Sequence, residues 1–390
     1  MNNKTDQIIK IKKKFYWRYI IASGLILLLI IASLVYIRFT QEPKPDPASE
    51  IIIRQAIAAQ LRKEPNELTD EDLAKMTGLS IIPTMGSGGN YYWIDWHTGK
   101  NVTELKVGEL SDIKLLEKCT NLNSLTLRSI RLPQKDIPEW MKMLAKLGVF
   151  DMWEKASLDL SPLRNLSNLD YLSLSRSLFT NLKPLSCLVN LKRLDLSEMG
   201  LSNLEPLRGL VNLQYLNLSV TLQPYKFPET RIKNLEALKD LTNLQELNVG
   251  GTKITDLEQI RGLVNLKRLE IGCTQVSSLE PLKDLTKLEM LLCNGAMISN
   301  LEPLKGLTNL DILSLYATPV TDLEPLKGLT NLRLLDIGCT DVFNLEPLKE
   351  LKNLKELFIE NCVNIPDEQV EALHQALPLL KITKDRGLDF

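Results

Sequence analysis

Leucines recur at fixed places between Leu122 and Leu354, and most intervals between equivalent leucines are 22 residues. Leu266–Lys287 and Leu310–Asn331, for example, both carry leucine at the first, fourth, fourteenth, seventeenth and twentieth places. A fixed period of this size predicts a solenoid, in which each unit stacks on the next and no unit folds alone. The function of such a chain is to be sought on the surface that the stack presents.

The phase of the leucines predicts eleven repeat units, preceded by a partial unit over residues 113–121. Two intervals are longer than 22 residues: the first carries three extra residues and the fifth carries nine, which we place at Gln223–Arg231. The units begin at Leu122, Leu147, Leu169, Leu191, Leu213, Leu244, Leu266, Leu288, Leu310, Leu332 and Leu354.

Each unit has two halves with different patterns. The first half, L-x-x-L-x-L, alternates between apolar and variable places, which predicts a short strand with one buried and one exposed face. The second half, L-E-P-L-x-x-L, returns the chain through a short helical or 3₁₀ turn, where proline is tolerated because no amide donor is needed. Ala237 and Gln259 replace that proline in two units.

This pattern resembles the bacterial leucine-rich repeats of the internalin-like, 22-residue class, over residues 113 to about 365. The resemblance implies an α/β solenoid with a parallel, concave β-sheet, and it implies protein–protein recognition, although one fold hosts many activities. The ninth place, usually Asn in that class, is Thr at Thr252, Thr274, Thr318 and Thr340. We expect a slightly altered turn there and no loss of the fold.

Both ends of the array need a cap to cover the core. Residues 51–112 are predicted to form a helical N-terminal cap with adjoining strands, because Ile53, Ile57 and Leu61 have helical spacing and Thr69 precedes an acidic first turn. The solenoid is assigned to residues 113–365. Residues 366–390 are predicted to be a C-terminal capping unit with one helix and a closing strand.

The first 50 residues have the pattern of a membrane anchor. Residues 1–18 are a basic tail, residues 19–37 are uncharged over about the length that crosses a bilayer, and residues 38–50 are a proline-rich linker. The charge bias predicts a single-pass transmembrane helix, with a cytoplasmic N terminus and the repeats outside, on a bacterial envelope or cell surface. A cleaved signal peptide is the alternative; its apolar core is usually shorter.

Motifs of catalysis and metal binding are absent from the sequence. His97 and His374 have no ligand partner at metal-binding spacing, and six cysteines are scattered through the chain without a C-x-x-C motif. These cysteines are predicted to be apolar fillers and turn residues, although disulfides are a possibility for an exported chain. We therefore predict no enzyme activity, no catalytic residue, no metal and no cofactor.

An enzyme that uses the exposed sheet remains the alternative, with acids at the fifth place of the strand. Asp195, Glu270 and Asp336 are spaced three units apart, about 15 Å at the usual strand separation, which is too far for a shared site. Glu at the fifteenth place is followed three residues later by Lys or Arg, which predicts a solvated face of paired charges. With a net charge of −1, the chain is not expected to bind nucleic acid.

The exposed strand places become apolar toward the C-terminal end, and a contiguous apolar patch usually marks an interaction site. The alternatives for the patch are that the last unit covers it, or that loose patterning leaves scattered apolar residues. The alternative for the nine-residue insertion is that its aromatics fold back on the solenoid. The residues predicted to bind a partner are Met290, Leu292, Ile312, Tyr316, Leu334 and Phe358 on the strands, with Tyr225 and Phe227 on the insertion.

The sequence thus predicts a membrane-anchored leucine-rich repeat protein, attached through residues 19–37, that binds a protein or peptide partner through its concave sheet outside the cytoplasmic membrane. Two alternatives remain: a structural spacer without a specific ligand, and a leucine-rich repeat adhesin or effector that is secreted after signal cleavage.

Overall fold

A computed structural model describes residues 47–81, 84–85, 91–94, 101–102, 113–127, 159–177, 181–220 and 232–384. The chain divides into two compact units, Met1–Asp46 and Pro47–Phe390, and all described residues belong to the second. The predicted boundaries between tail, linker, cap, solenoid and final unit stay predictions.

The described residues contain three α-helices, two before the repeats and one after them: α1 (Pro47–Leu61), α2 (Asp70–Ala74) and α3 (Asp367–Ala376). Thr69 caps α2 as the sequence predicts, because the Asp72 N–H donates to Thr69 Oγ1 (3.2 Å) and the Thr69 N–H donates to Asp72 Oδ2 (3.0 Å). Lys63 Nζ and Thr69 Oγ1 also donate to the Asp72 carboxylate, and together with the Thr69 N–H they hold the pKa of Asp72 well below its usual range.

A twelve-stranded parallel sheet runs through the repeats. Its strands, each hydrogen-bonded to the next, are β1 (Gly78–Ile81), β5 (Ser124–Leu127), β6 (Tyr171–Ser173), β7 (Arg193–Asp195), β8 (Tyr215–Asn217), β9 (Glu246–Asn248), β10 (Arg268–Glu270), β11 (Met290–Leu292), β12 (Ile312–Ser314), β13 (Leu334–Asp336), β14 (Glu356–Phe358) and β15 (Lys381–Thr383). A separate antiparallel sheet contains β2 (Thr84–Met85), β3 (Tyr91–Ile94) and β4 (Asn101–Val102).

Strand β1 is one of the strands that the sequence predicts beside the helical cap, and it pairs with β5, so that it extends the main sheet by one strand. Strand β5 in turn pairs with β6, with Ser124 opposite Tyr171. The strand predicted at Leu147 lies outside the described residues.

The core follows the leucine pattern closely. In the unit that begins at Leu310, the strand leucines and those of the returning half are all at most 1% exposed. The returning halves are 3₁₀ turns, at Lys114–Lys118, Ser161–Asn165, Lys183–Cys187, Glu205–Leu207, Glu236–Leu238, Glu258–Ile260, Glu280–Leu282, Glu302–Leu304, Glu324–Leu326 and Glu346–Glu350. A further 3₁₀ turn, Pro65–Glu67, lies between α1 and α2. Short polar side chains two residues earlier accept the first N–H of most of these turns, for example Asn300 from Glu302 (3.0 Å).

After β6, β7 and each strand from β9 to β14, the chain reverses through one residue with a positive φ, at the eighth place of the unit. Cys273, Ala317 and Cys339 adopt this conformation, with φ between 54° and 56°. At the ninth place, the hydroxyl of Thr252, Thr274, Thr318 or Thr340 donates to the carbonyl three residues earlier, at 2.6 Å in each case. Threonine thus supplies a buried hydrogen bond at the place where the similar repeats carry asparagine, as expected.

Asparagines link successive units on the side where the strands begin. Each side-chain amide donates to the carbonyl of the residue 23 positions earlier in the regular units, for example Asn331 to Thr308 (2.9 Å) and Asn309 to Thr286 (2.8 Å). The donors are Asn121, Asn168, Asn190, Asn212, Asn243, Asn265, Asn309, Asn331 and Asn353. One unit departs: Lys287 occupies the asparagine place and donates to Asn265 Oδ1 instead.

The predicted face of paired charges is confirmed on the returning halves. Glu205 and Arg208 are joined by two hydrogen bonds of 2.7 and 2.9 Å, and the Glu280–Lys283 distance is 2.6 Å. Similar pairs three residues apart occur at Glu236, Glu258, Glu324 and Glu346. These side chains are well exposed, so solvent screens each pair and its contribution to stability is small.

All six cysteines lie among the described residues, and all six are free thiols. Cys293 is a core residue, whose pKa is raised by burial, whereas Cys273 and Cys339 stand at the strand-end turn. The prediction of apolar fillers and turn residues is therefore confirmed for these three.

The longest helix in the described ranges is α1, with 15 residues. About 20 predominantly apolar residues are needed to cross a membrane, and no helix within those ranges has this length and composition. The predicted single-pass localisation, with a cytoplasmic N terminus and the repeats outside, is contradicted by this finding and is withdrawn. Residues 19–37, on which the prediction rested, lie outside the described residues.

Candidate partner-binding surface

Strand register brings three predicted site residues into one row on the exposed face of the sheet. Met290 stands opposite Ile312, and Ile312 stands opposite Leu334, on three consecutive strands. All three side chains are half-buried rather than fully exposed. We call this row the apolar stripe. It crosses the strands at right angles and, at about 4.8 Å per strand, extends about 10 Å from Met290 to Leu334.

The same row is polar or charged on the other described repeat strands, apart from the two tyrosines of β6 and β8. Arg268 precedes Met290 in the row, and Glu356 follows Leu334. Both are exposed, and neither forms an ion pair with another described residue. The apolar stripe therefore lies between an unpaired positive charge and an unpaired negative charge.

Leu292 and Phe358 belong to a second row, two residues further along the strands. Leu292 lies next to Met290 on β11. Within the second row, Ser314 and Asp336 stand between Leu292 and Phe358. Ser314 Oγ donates to Asp336 Oδ2 (3.2 Å), and the Gly338 N–H donates to Asp336 Oδ1 (3.0 Å). The predicted patch is therefore interrupted in this row by a buried polar pair.

Tyr316 lies in a third row, beyond the end of β12. A Cβ placed on Gly338, its counterpart in the next unit, would be 2.9 Å from Tyr316 Cδ2 and 3.2 Å from Cε2. The ring therefore packs against the backbone of Gly338 and is half-buried there. One face of this predicted aromatic anchor is already in contact with the solenoid. Tyr225 and Phe227 lie outside the described residues.

The acids of the second row have structural partners. Asp195 accepts from Ser173 Oγ (3.1 Å) and from the Ser197 N–H (3.0 Å), while Glu270 accepts from Asn248 Nδ2 (2.6 Å). Burial raises the pKa of Glu270. The two donors on Asp195 show why a carboxylate is suited to this place: its side chain accepts the N–H at the end of the strand, which would otherwise lack a partner.

No two of the predicted acids share a site. Asp195, Glu270 and Asp336 lie on β7, β10 and β13, three strands apart in each step. Within the described part of the chain, no group of three His, Cys, Asp or Glu residues is arranged to hold a metal ion. The expectation that the protein is not an enzyme stays a prediction.

Toward the N-terminal end, the first row contains Tyr171, Arg193 and Tyr215 on consecutive strands. The Arg193 guanidinium carbon is 4.5 Å from the centre of the Tyr215 ring, a cation–π contact. Burial, followed by the nearby charge of Asp195, raises the pKa of Tyr215. This part of the sheet is polar and internally bonded, in contrast to the apolar stripe.

Several strongly exposed apolar residues were missed by reasoning from the strands alone. Ile51 lies on α1 and Leu379 follows α3, whereas the others lie in the turns of the repeat units, where the pattern leaves a variable place. Their exposed fractions range from 46% at Val211 to 96% at Leu379, and the others are Ile51, Val189, Val264, Met297, Phe343 and Val363. The L-V-N-L sequence that holds Val189, Val211 and Val264 was a visible signal. These side chains are dispersed over different places of the unit.

The row geometry and the repeat pattern agree with known repeat proteins. A family model described as leucine-rich repeats, two copies, matches residues 242–284. The solenoid has the leucine-rich repeat fold. No curated protein sequence matches the chain.

Among solved structures, an internalin (inlF) from Listeria monocytogenes is 23% identical, with 88% of this chain and 92% of that chain covered and a TM-score of 0.61. The functional domain of InlJ from Listeria monocytogenes, which includes a cysteine ladder, is 20% identical, with 85% and 65% covered and a TM-score of 0.54. A leucine-rich repeat protein from Leptospira interrogans is 23% identical, with 70% and 81% covered and a TM-score of 0.47.

At these identities the likeness concerns the fold alone. This leucine-rich repeat protein carries no ladder of cysteines, because Cys273 and Cys339 occupy the same place only at an interval of three units.

Proposed function

We propose that this leucine-rich repeat protein binds a protein or peptide partner on the exposed face of its parallel sheet, centred on the apolar stripe. The observation that supports the proposal is the register of Met290, Ile312 and Leu334 on three consecutive strands, with charged residues on both sides. Solvent-facing places on a sheet have no packing reason to be apolar, so a contiguous row there is typical of a contact surface.

The apolar stripe is the centre of the proposed interface and not the whole of it. Burying a large apolar side chain from full exposure contributes about 1.5–3 kcal/mol, and these three are already half-buried. Their combined contribution, about 3 kcal/mol, is smaller than the roughly 8 kcal/mol of a micromolar complex. A partner must therefore also contact the neighbouring rows, where Leu292, Tyr316 and Phe358 are the proposed additional contacts.

Release from the cell would distinguish the secreted alternative from a protein that stays attached to the cell. The similarity of the fold to internalins favours a secreted adhesin or effector, and we include this in the proposal. Mass spectrometry of the protein in the culture medium, read at its mature N terminus, tests it. A protein confined to the cell pellet, with no released form, would contradict the secreted alternative.

The binding proposal is tested by co-purification with the full chain and two single variants. Ile312→Asp places a charge in the middle of the apolar stripe, whereas Val264→Asp places the same charge at an exposed apolar residue (50% exposed) outside the strand rows. We expect a partner that is retained by the wild type and by Val264→Asp, and lost with Ile312→Asp.

Identical partner profiles for Ile312→Asp and the wild type would reject the apolar stripe as the binding site. The absence of any partner from both, with extracts and medium from the source cells, would favour a structural spacer. Thermal unfolding of both variants checks that they are folded to the same extent.

A further inference from the structure

The first row of the sheet has a charge order that distinguishes between kinds of partner. Arg268 stands on β10, followed by the apolar stripe on β11, β12 and β13, and by Glu356 on β14. Four strand steps separate Arg268 from Glu356, about 19 Å at about 4.8 Å per strand. A ligand lying along the row therefore meets a positive charge, three apolar side chains and a negative charge, in this order.

The spacing within the row matches a helix better than an extended chain. One turn of an α-helix advances 5.4 Å, so side chains one turn apart fall close to the strand spacing of about 4.8 Å. Alternate side chains of an extended chain are about 6.7 Å apart, which accumulates a mismatch of about 4 Å over the apolar stripe. Three apolar residues of a helix, from i to i+7, span about 10 Å, the same length as the stripe.

The charges set the direction of such a helix. If the helix of the partner has an acidic residue one turn before its first apolar residue, that acidic residue lies beside Arg268. A basic residue one turn after its last apolar residue lies beside Glu356. The helix dipole also favours acidic residues near the N terminus and basic residues near the C terminus. A helix whose own stability is favoured by this charge order therefore lies with its N terminus toward β10.

The outer neighbours limit how far the charged part of the partner extends. Glu246 precedes Arg268 in the row, and Lys381 follows Glu356. An acidic partner residue two turns before the first apolar residue would meet Glu246 and be repelled. One charge at each end therefore fits the row better than a charged run.

We propose that the partner segment is an amphipathic α-helix with an acidic residue one turn before, and a basic residue one turn after, an apolar face of three residues. This inference rests on the proposed binding function and specifies its ligand. Leu292, beside Met290, gives the helix a second apolar contact near its N-terminal end, and Phe358, two residues from Glu356, gives one near its C-terminal end.

Synthetic helical peptides test this directly with the full chain, by fluorescence anisotropy. The first peptide has glutamate, three leucines and lysine in the proposed order on an alanine-rich background. The second replaces the glutamate by lysine, so that both ends are basic, and the third keeps the side chains of the first but carries two prolines that prevent a helix. We expect the second to bind at least tenfold more weakly than the first, because one of its lysines meets Arg268 in either direction, and the third to show no measurable binding.

Charge reversal on the protein provides the matched test. Arg268→Glu should weaken the first peptide about tenfold and strengthen the second peptide, because a lysine of the second peptide then meets a carboxylate at each end of the apolar stripe. Lys305→Glu is the control: it makes the same kind of change at an exposed residue on the returning half of a unit. It should leave both affinities unchanged.

Equal binding of the first and second peptides would overturn the proposed charge order. Binding of the proline peptide that is lost with Ile312→Asp would replace the helix by an extended ligand and keep the apolar stripe as the site. Failure of all three peptides would overturn the helical ligand, while the proposed function would still be decided by co-purification, which uses no peptide.

Discussion

The ring of Tyr316 packs against the backbone of Gly338, the residue at the same place in the next unit, where a Cβ would be only 2.9 Å from Tyr316 Cδ2. The absence of a side chain at position 338 therefore makes room for the aromatic ring. Asp336 Oδ1, which accepts the Gly338 N–H, would be 3.3 Å from the same Cβ. The tyrosine and the glycine are complementary in shape, and Gly338 has no positive φ that would itself require glycine.

Gly338→Ala is expected to destabilise the protein by about 1–2 kcal/mol, because the ring must be displaced to accept the new Cβ. Tyr316→Ala in the Gly338→Ala background should remove most of this penalty, since the clash no longer exists. Urea unfolding of the wild type, both single variants and the double variant measures the coupling, which is expected at 0.5 kcal/mol or more. Strictly additive effects would show that the ring does not depend on the glycine.

Gly251 and Gly295 occupy the same strand-end place, both with positive φ, but in different surroundings. A Cβ on Gly251 would be 1.8 Å from the carbonyl oxygen of Val220, whereas a Cβ on Gly295 would come no closer than 3.5 Å, to Cys273 Sγ. Gly295→Ala is therefore expected to cost about 1 kcal/mol, as for alanine in a left-handed conformation. Gly251→Ala should cost at least about 3 kcal/mol, because backbone must move.

The two glycine variants are compared by their denaturation midpoints. Ala317 already holds this conformation with φ 54°, so the Gly295 change introduces nothing new to the fold. Similar midpoints for both variants would contradict the close approach of Val220 to Gly251.

The repeat, its parallel strands and its buried leucines could be predicted because every unit must bury leucines at the same places against the neighbouring units. The row of Met290, Ile312 and Leu334 followed from the same count, since residues 22 positions apart become neighbours in a stack. Strands beside the cap were predicted, but the pairing of β1 with β5 was not, because β1 belongs to no complete repeat and the pairing joins residues far apart in sequence.

The details of the candidate site were less accessible from the sequence. The interruption of the second row by Ser314 and Asp336 depends on hydrogen bonds between units, which a count of apolar places does not contain. The half-burial of Tyr316 depends on a glycine 22 residues later, and a single position read alone does not predict this. The sequence thus predicts which residues share a row, and only the packed structure shows which of them are available.

Gln259 stands at the proline place of its unit, and its Oε1 is buried without a hydrogen-bond partner among the described residues. Gln259→Pro should stabilise the protein by about 1–3 kcal/mol, because it removes the unsatisfied oxygen and reduces the entropy of the unfolded chain. Ala237→Pro is the matched control at the equivalent, buried place, where only the entropy term applies, about 0.4–1 kcal/mol. Thermal and urea unfolding should rank Gln259→Pro above Ala237→Pro; the reverse order would indicate that the glutamine oxygen is satisfied.

Lys287 replaces one of the asparagines that join successive units. Its ammonium donates to Asn265 Oδ1 rather than to the backbone of the preceding unit. Lys287→Asn should restore the missing hydrogen bond to the carbonyl of Val264, with a gain of about 0.5–1.5 kcal/mol. Asn331→Ala, which removes an existing link to Thr308, should cost a similar amount.

Because a solenoid is stabilised by contacts between neighbouring units, hydrogen exchange around residues 264–287 should slow in the first variant and accelerate around residues 308–331 in the second. Unchanged exchange in the first variant, together with the expected loss in the second, would show that the lysine contact already replaces the missing link.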